Sequence, residues 1–135
     1  MLNRPLNVSF EITDNYTVGG FRNFIKLLLS DSTRYNIFII SNDDSAAYIA
    51  KVGETLGLPS TNVVICNFTA DKIQAIQDNN IDIHLDNLQS FTMLVEETTD
   101  AYGILVTKNL NKYYLRPDYI ITFDKIALTI TNETN

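Results

Sequence analysis

Leu6-Asn7-Val8-Ser9-Phe10-Glu11-Ile12-Thr13-Asp14-Asn15-Tyr16 is the stretch on which the fold turns. Leu6, Val8, Phe10 and Ile12 are apolar, with Asn7, Ser9 and Glu11 between them. That is the period-two pattern of a strand, and Thr13 to Asn15 have the composition of a turn. A strand here delivers Glu11 and Thr13 to its carboxyl end. In an open α/β sheet ligands bind at that end, where loops and helix N-termini supply backbone N–H groups and positive dipoles. An ordinary first strand closed by an Asp-Asn turn has the same pattern. Only the order of strands and helices downstream gives the segment its meaning.

Beyond it, Gly19-Gly20 breaks the chain, and Phe21, Phe24, Ile25, Leu27 and Leu28 form a helical stripe closed by Ser30-Asp31-Ser32-Thr33. Ile37-Phe38-Ile39-Ile40 is a continuous apolar run, as expected of a strand buried on both faces. It ends at Ser41-Asn42-Asp43-Asp44, all N-cap candidates for a helix carrying Ala46, Ala47, Ile49, Ala50, Val52 and Leu56 to Gly57 and Pro59. A third strand is expected from Asn62 to Cys66, a helix from Thr69 to Gln77 stopped by Asp78-Asn79-Asn80, and a fourth strand from Ile81 to Asp86. Leu88, Phe91, Met93, Leu94 and Val95 suggest one more helix, and Tyr102 to Thr107 a fifth strand. This alternation predicts an α/β fold with a Rossmann-like, doubly wound, mainly parallel sheet. Tyr113 to Leu115, Tyr119 to Phe123 and Ile126 to Ile130 read as short β-rich C-terminal additions. A single domain over 1–130 is expected, with 131–135 a frayed tail.

The composition limits the partners. A formal charge of -6 argues against non-specific attraction to nucleic acid or to anionic lipid. No apolar run approaches the roughly 20 residues of a membrane helix, so no membrane partner is expected. Cys66 is the only cysteine, which excludes an intrachain disulfide and a thiolate zinc site within one chain. With no signal-peptide core in Met1 to Asn7, a cytoplasmic location fits best.

Polar residues recur at comparable places: Glu11 and Thr13 end the first strand, Ser41 the second, Lys72 opens the helix before the fourth, and Asp86-Asn87 end the fourth. The arrangement resembles the haloacid dehalogenase-like (HAD-like) superfamily of phosphotransferases, over roughly residues 6 to 96. Asn36-Ile37-Phe38-Ile39-Ile40-Ser41-Asn42 and Ile81-Asp82-Ile83-His84-Leu85-Asp86-Asn87 carry it most specifically, the second resembling the last motif of small, capless members. The resemblance implies that the Glu11 strand is central, with the Ser41 and Asp86 strands on its two sides. It also implies Ser41 and Lys72 as phosphate ligands, Glu11, Asp86 and Asn87 as ligands of Mg2+, and an acyl-phosphate intermediate in active members. In such chemistry a carboxylate attacks phosphorus, a second one protonates the leaving oxygen, and magnesium neutralises charge.

Two positions depart from that pattern. Glu11 stands at the nucleophile position and Thr13 at the acid/base position. The extra methylene of Glu11 displaces the attacking oxygen, where about 1 Å can already cost 10²-fold. Thr13 is a poor general acid near neutral pH. A shifted register would instead make Asp14 the nucleophile, with Tyr16 at the acid position. Each residue also has a plainer reading: Ser41 as a helix cap, Lys72 as a solvated first-turn lysine opposing the helix dipole, Asp86 as a turn residue and His84 as a satisfied strand histidine. The leading expectation is a catalytically impaired, phosphatase-like pseudoenzyme that binds a phosphorylated small molecule with Mg2+, or a protein partner. Alternatives are an active Mg2+-dependent phosphomonoesterase, and an interaction module using the basic and aromatic patch of Lys108, Lys112, Tyr113, Tyr114 and Arg116, for which a charged hairpin is the plainer reading.

Overall fold

Strand and helix alternate as β1 (Leu6–Phe10), α1 (Gly19–Leu29), β2 (Tyr35–Ser41), α2 (Ala46–Thr55), β3 (Val63–Ile65), α3 (Thr69–Asp78), β4 (Ile83–Asp86), α4 (Gln89–Thr98) and β5 (Tyr102–Leu105). Three further strands follow among the described residues: β6 (Lys112–Arg116), β7 (Tyr119–Phe123) and β8 (Leu128–Asn132). The computed structural model describes residues 4–12, 19–42, 45–105, 112–116, 119–123 and 128–132, the last three segments as backbone. The strands form one sheet in the order β3-β2-β1-β4-β5-β6-β7-β8. β1 to β5 are parallel, and β6, β7 and β8 extend the β5 edge antiparallel. The architecture is therefore a Rossmann-like α/β fold with a five-stranded parallel sheet. β1 lies inside it, flanked by β2 and β4.

Among the described residues two cores form, because successive strand side chains point to opposite faces. Val8, Phe10, Ile37, Ile39, Ile83, Leu85 and Ile104 pack with Phe21, Phe24, Ile25 and Leu28 of α1 and Ile49 and Val52 of α2. Phe38 and Ile40 belong to the other cluster, with Ala75 and Ile76 of α3 and Phe91 and Val95 of α4. Period-two alternation in β1 usually marks one solvated face. Here both faces are covered, and Ser9 and Glu11 are buried at 0% and 6% exposure.

Local chemistry sets the helix limits. The cap of α2 is Ser45, whose hydroxyl accepts from the Tyr48 N–H at 3.1 Å, one residue beyond the expected run Ser41 to Asp44. Gly57 at φ 74° and Asn80 at φ 51° end α2 and α3 in the left-handed region, which these residue types tolerate best. α1 begins at Gly19 rather than after the Gly19-Gly20 pair, since a first turn lacks intrahelical N–H partners anyway and asks little of its side chains. Gly103 of β5 is required by close approach, because a Cβ there would run into the Thr92 carbonyl oxygen of α4. β8 reaches Asn132, two residues into the expected tail, because Thr131 and Asn132 pair with Ile120 and Tyr119.

The amino-terminal end of the sheet is tied by polar side chains. Arg4 meets Asp82 in a two-pronged pair at 2.7 and 2.9 Å, and the Asn7 N–H donates to the same carboxylate at 2.8 Å. An amide chain runs from Asn62 to Asn36 at 3.1 Å and from Asn36 to Asn7 at 3.2 Å. Part of the asparagine content is thus structural. No helix among the described residues is long and apolar enough to cross a membrane.

Candidate functional site

The parallel order sets the carboxyl ends of β2, β1 and β4 side by side, and the first turn of α3 lies over them. Glu11 immediately follows β1 and is held in line by its N–H bond to the Leu85 carbonyl at 2.9 Å. Ser41 is the last residue of β2 and Asp86 the last of β4. Lys72 lies in the first turn of α3, 2% exposed. The structure thus brings together Glu11, Ser41, Lys72 and Asp86.

Their bonds form a continuous network. The Lys72 ammonium donates to Glu11 Oε1 at 2.7 Å and to Asp86 Oδ2 at 2.9 Å. It also lies 4.1 Å from the centroid of the Phe91 ring, a cation–π contact. Ser41 Oγ donates to Glu11 Oε2, and the Asn42 N–H donates to Oε1 at 3.1 Å. Asp86 Oδ1 accepts from the Leu88 N–H at 3.0 Å as the chain enters α4. Asp86 is therefore a turn residue and a network member at once. Lys72 is not solvated, and two carboxylates outweigh the unfavourable helix dipole.

His84 and Ser9, which the resemblance did not single out, extend the chain inward. They face each other across β4 and β1, with Ser9 Oγ 2.7 Å from His84 Nδ1. His84 Nε2 lies 3.0 Å from Asp86 Oδ2. An ionised carboxylate only accepts, so Nε2 carries the donated proton. Both residues are 0% exposed, so the Ser-His-Asp sequence of contacts has no route to a substrate and reads as a satisfied strand histidine. The available signal was spacing: Ser9 and Glu11, like His84 and Asp86, are two apart on adjacent strands and share one face.

Burial favours a raised pKa for Asp86, but the His84 hydrogen bond and charge, together with Lys72, outweigh it and hold the carboxyl below the usual aspartate range. Burial, with Asp71 and Glu11 nearby, pushes the Cys66 thiol up despite Lys72, so it is no activated nucleophile.

The carboxylates assigned to magnesium do not fit a divalent ion as they stand. Magnesium needs a near-octahedral set of oxygens and keeps several waters. Here an ammonium lies between Glu11 and Asp86, and each of their carboxylate oxygens accepts a hydrogen bond from the protein. Among the described residues no cluster of acidic, histidine and cysteine side chains is arranged to hold a metal. Asn87 is exposed and outside these bonds. Thr13, Asp14, Tyr16 and Lys108 lie outside the described residues; Lys112 to Arg116 form β6, which pairs with β7 as a hairpin.

Beside the network opens a cleft of about 410 Å³, lined by Asn42, Thr69, Leu88, Phe91, Met93 and Glu97 among others. Its rim is apolar: Leu88 is 57% and Met93 54% exposed, and Phe68, one residue before Thr69, is 71% exposed. Compared with protein-family models, curated proteins and solved structures, the chain matches none of them.

Proposed function

We propose that this chain is a doubly wound, HAD-like domain that does not turn over phosphomonoesters and acts by binding a protein partner. The observation that carries the reading is the commitment of Lys72 to Glu11 and Asp86 at 2.7 and 2.9 Å. An ammonium held by two carboxylates has little net charge to offer a phosphoryl group. The Glu11 oxygens, engaged with Ser41, Asn42 and Lys72, are not presented for in-line attack. The polar residues at this end instead fasten three strands to α3.

Binding then falls to the rim of the same end. Leu88, Phe91, Met93 and Leu94 give the cleft apolar walls, while Asn42, Thr69 and Ser90 add hydrogen-bonding groups. Among the described lining residues Glu97 is the acid, and the basic group, Lys72, is already neutralised. The complementary partner is a protein segment with an apolar anchor beside a basic residue. A peptide of that type, compared by NMR with an acidic peptide of equal length and the same anchor, is expected to shift the Leu88 and Met93 methyl signals selectively. Equal binding of both, or binding of neither, contradicts the reading.

A further inference from the structure

We infer that Lys72 is the resident cation of this site: its ammonium holds, between Glu11 and Asp86, the place a divalent metal would take, and the folded protein neither needs nor takes up magnesium there. The inference stands on the geometry and is independent of whether the chain binds a protein partner.

Three observations carry it. The ammonium has three N–H directions. Two meet Glu11 and Asp86 at 2.7 and 2.9 Å, and the Phe91 ring covers the group with its centroid at 4.1 Å. The carboxylates are themselves complete, because Glu11 also accepts from Ser41 and Asn42, and Asp86 from His84 and Leu88. A metal entering here would have to break charge-assisted bonds on both sides before gaining any oxygen ligand. Finally, Glu11, Lys72 and Asp86 are 6%, 2% and 1% exposed, so the two carboxylates meet little of the water that magnesium retains in its shell. The longer side chain of glutamate matters here: it lets one carboxylate reach the end of β2 and the α3 lysine together.

The test is a divalent-cation titration at matched ionic strength, read by thermal unfolding and calorimetry. Wild-type protein is expected to show no saturable heat and no rise in Tm with millimolar Mg2+ or Mn2+. Lys72→Met, which leaves two buried carboxylates without their cation, is expected to melt lower and to gain about 3–6 °C on saturation with Mn2+. Adding Glu11→Gln to that variant should abolish the gain. Saturable binding to wild type that Asp86→Asn removes would overturn the inference, as would a folded Lys72→Met protein indifferent to Mn2+. Should Lys72→Met fail to fold with or without metal, the wild-type titration still decides.

Discussion

Lys72→Met keeps an unbranched apolar stem and deletes the ammonium, so it isolates the charge from the packing. In the folded protein it leaves Glu11 and Asp86, 6% and 1% exposed, without their shared cation. Each charge-assisted bond contributes about 1.5–3 kcal/mol, which bounds the gross loss at roughly 3–6 kcal/mol for the two. The retained partners moderate it: Glu11 keeps Ser41 and the Asn42 N–H, and Asp86 keeps His84 and the Leu88 N–H. A net loss of about 3–5 kcal/mol is expected, the usual result of removing one partner of a buried pair. Against a total stability of roughly 5–15 kcal/mol the variant remains measurable. The chain has no tryptophan, so urea unfolding is followed by far-UV circular dichroism. Lys72→Met with Glu11→Gln should recover more than about 1 kcal/mol of the loss, because one orphaned charge is gone. A loss below about 1 kcal/mol in Lys72→Met would mean that the lysine is effectively solvated, as surface pairs are, and that the network does not hold α3 to the strands.

Acid should destabilise the protein through Asp86 and Asp82. Burial opposes both shifts, but His84 and Lys72 at Asp86, and Arg4 with the Asn7 N–H at Asp82, hold the folded values below the ordinary 3.8. Their contribution is complete above 3.8 and lost as the pH falls through the lower folded values. Urea midpoints measured from neutral to strongly acidic pH should therefore drop on the acid side, and less steeply in Asp86→Asn; an unchanged slope contradicts the assignment. Gly103→Ala should cost about 1–3 kcal/mol by overpacking, since the new methyl meets the backbone of Thr92. A variant as stable as wild type would show that α4 can shift away from β5.

Much of the fold is legible in the sequence because its signals are local. Apolar runs at β1, β2 and β4, the Gly57 and Asn80 stops and the strand-helix alternation reproduce in three dimensions within a few residues. The convergence of Glu11, Ser41, Lys72 and Asp86 is legible too, since strand ends in a parallel sheet meet at one edge. What the polar groups do to one another is not. Lys72 in a helical first turn reads as solvated until the two facing carboxylates are placed, and Ser41 reads as a cap until Ser45 takes that role. His84 and Ser9 become partners only through the β1–β4 register, a contact 75 residues apart in the chain. These contacts are long-range, and a period-two pattern does not say which polar face is buried.

Whether the site retains phosphatase chemistry is decided by the turnover of an aryl phosphate by the wild-type protein, with and without magnesium. With Lys72 bound to Glu11 and Asp86, and Glu11 engaged on both oxygens, the expected rate is that of the buffer blank at every magnesium concentration. Magnesium-dependent turnover that disappears in Glu11→Ala or Asp14→Ala would overturn this expectation and identify the nucleophile.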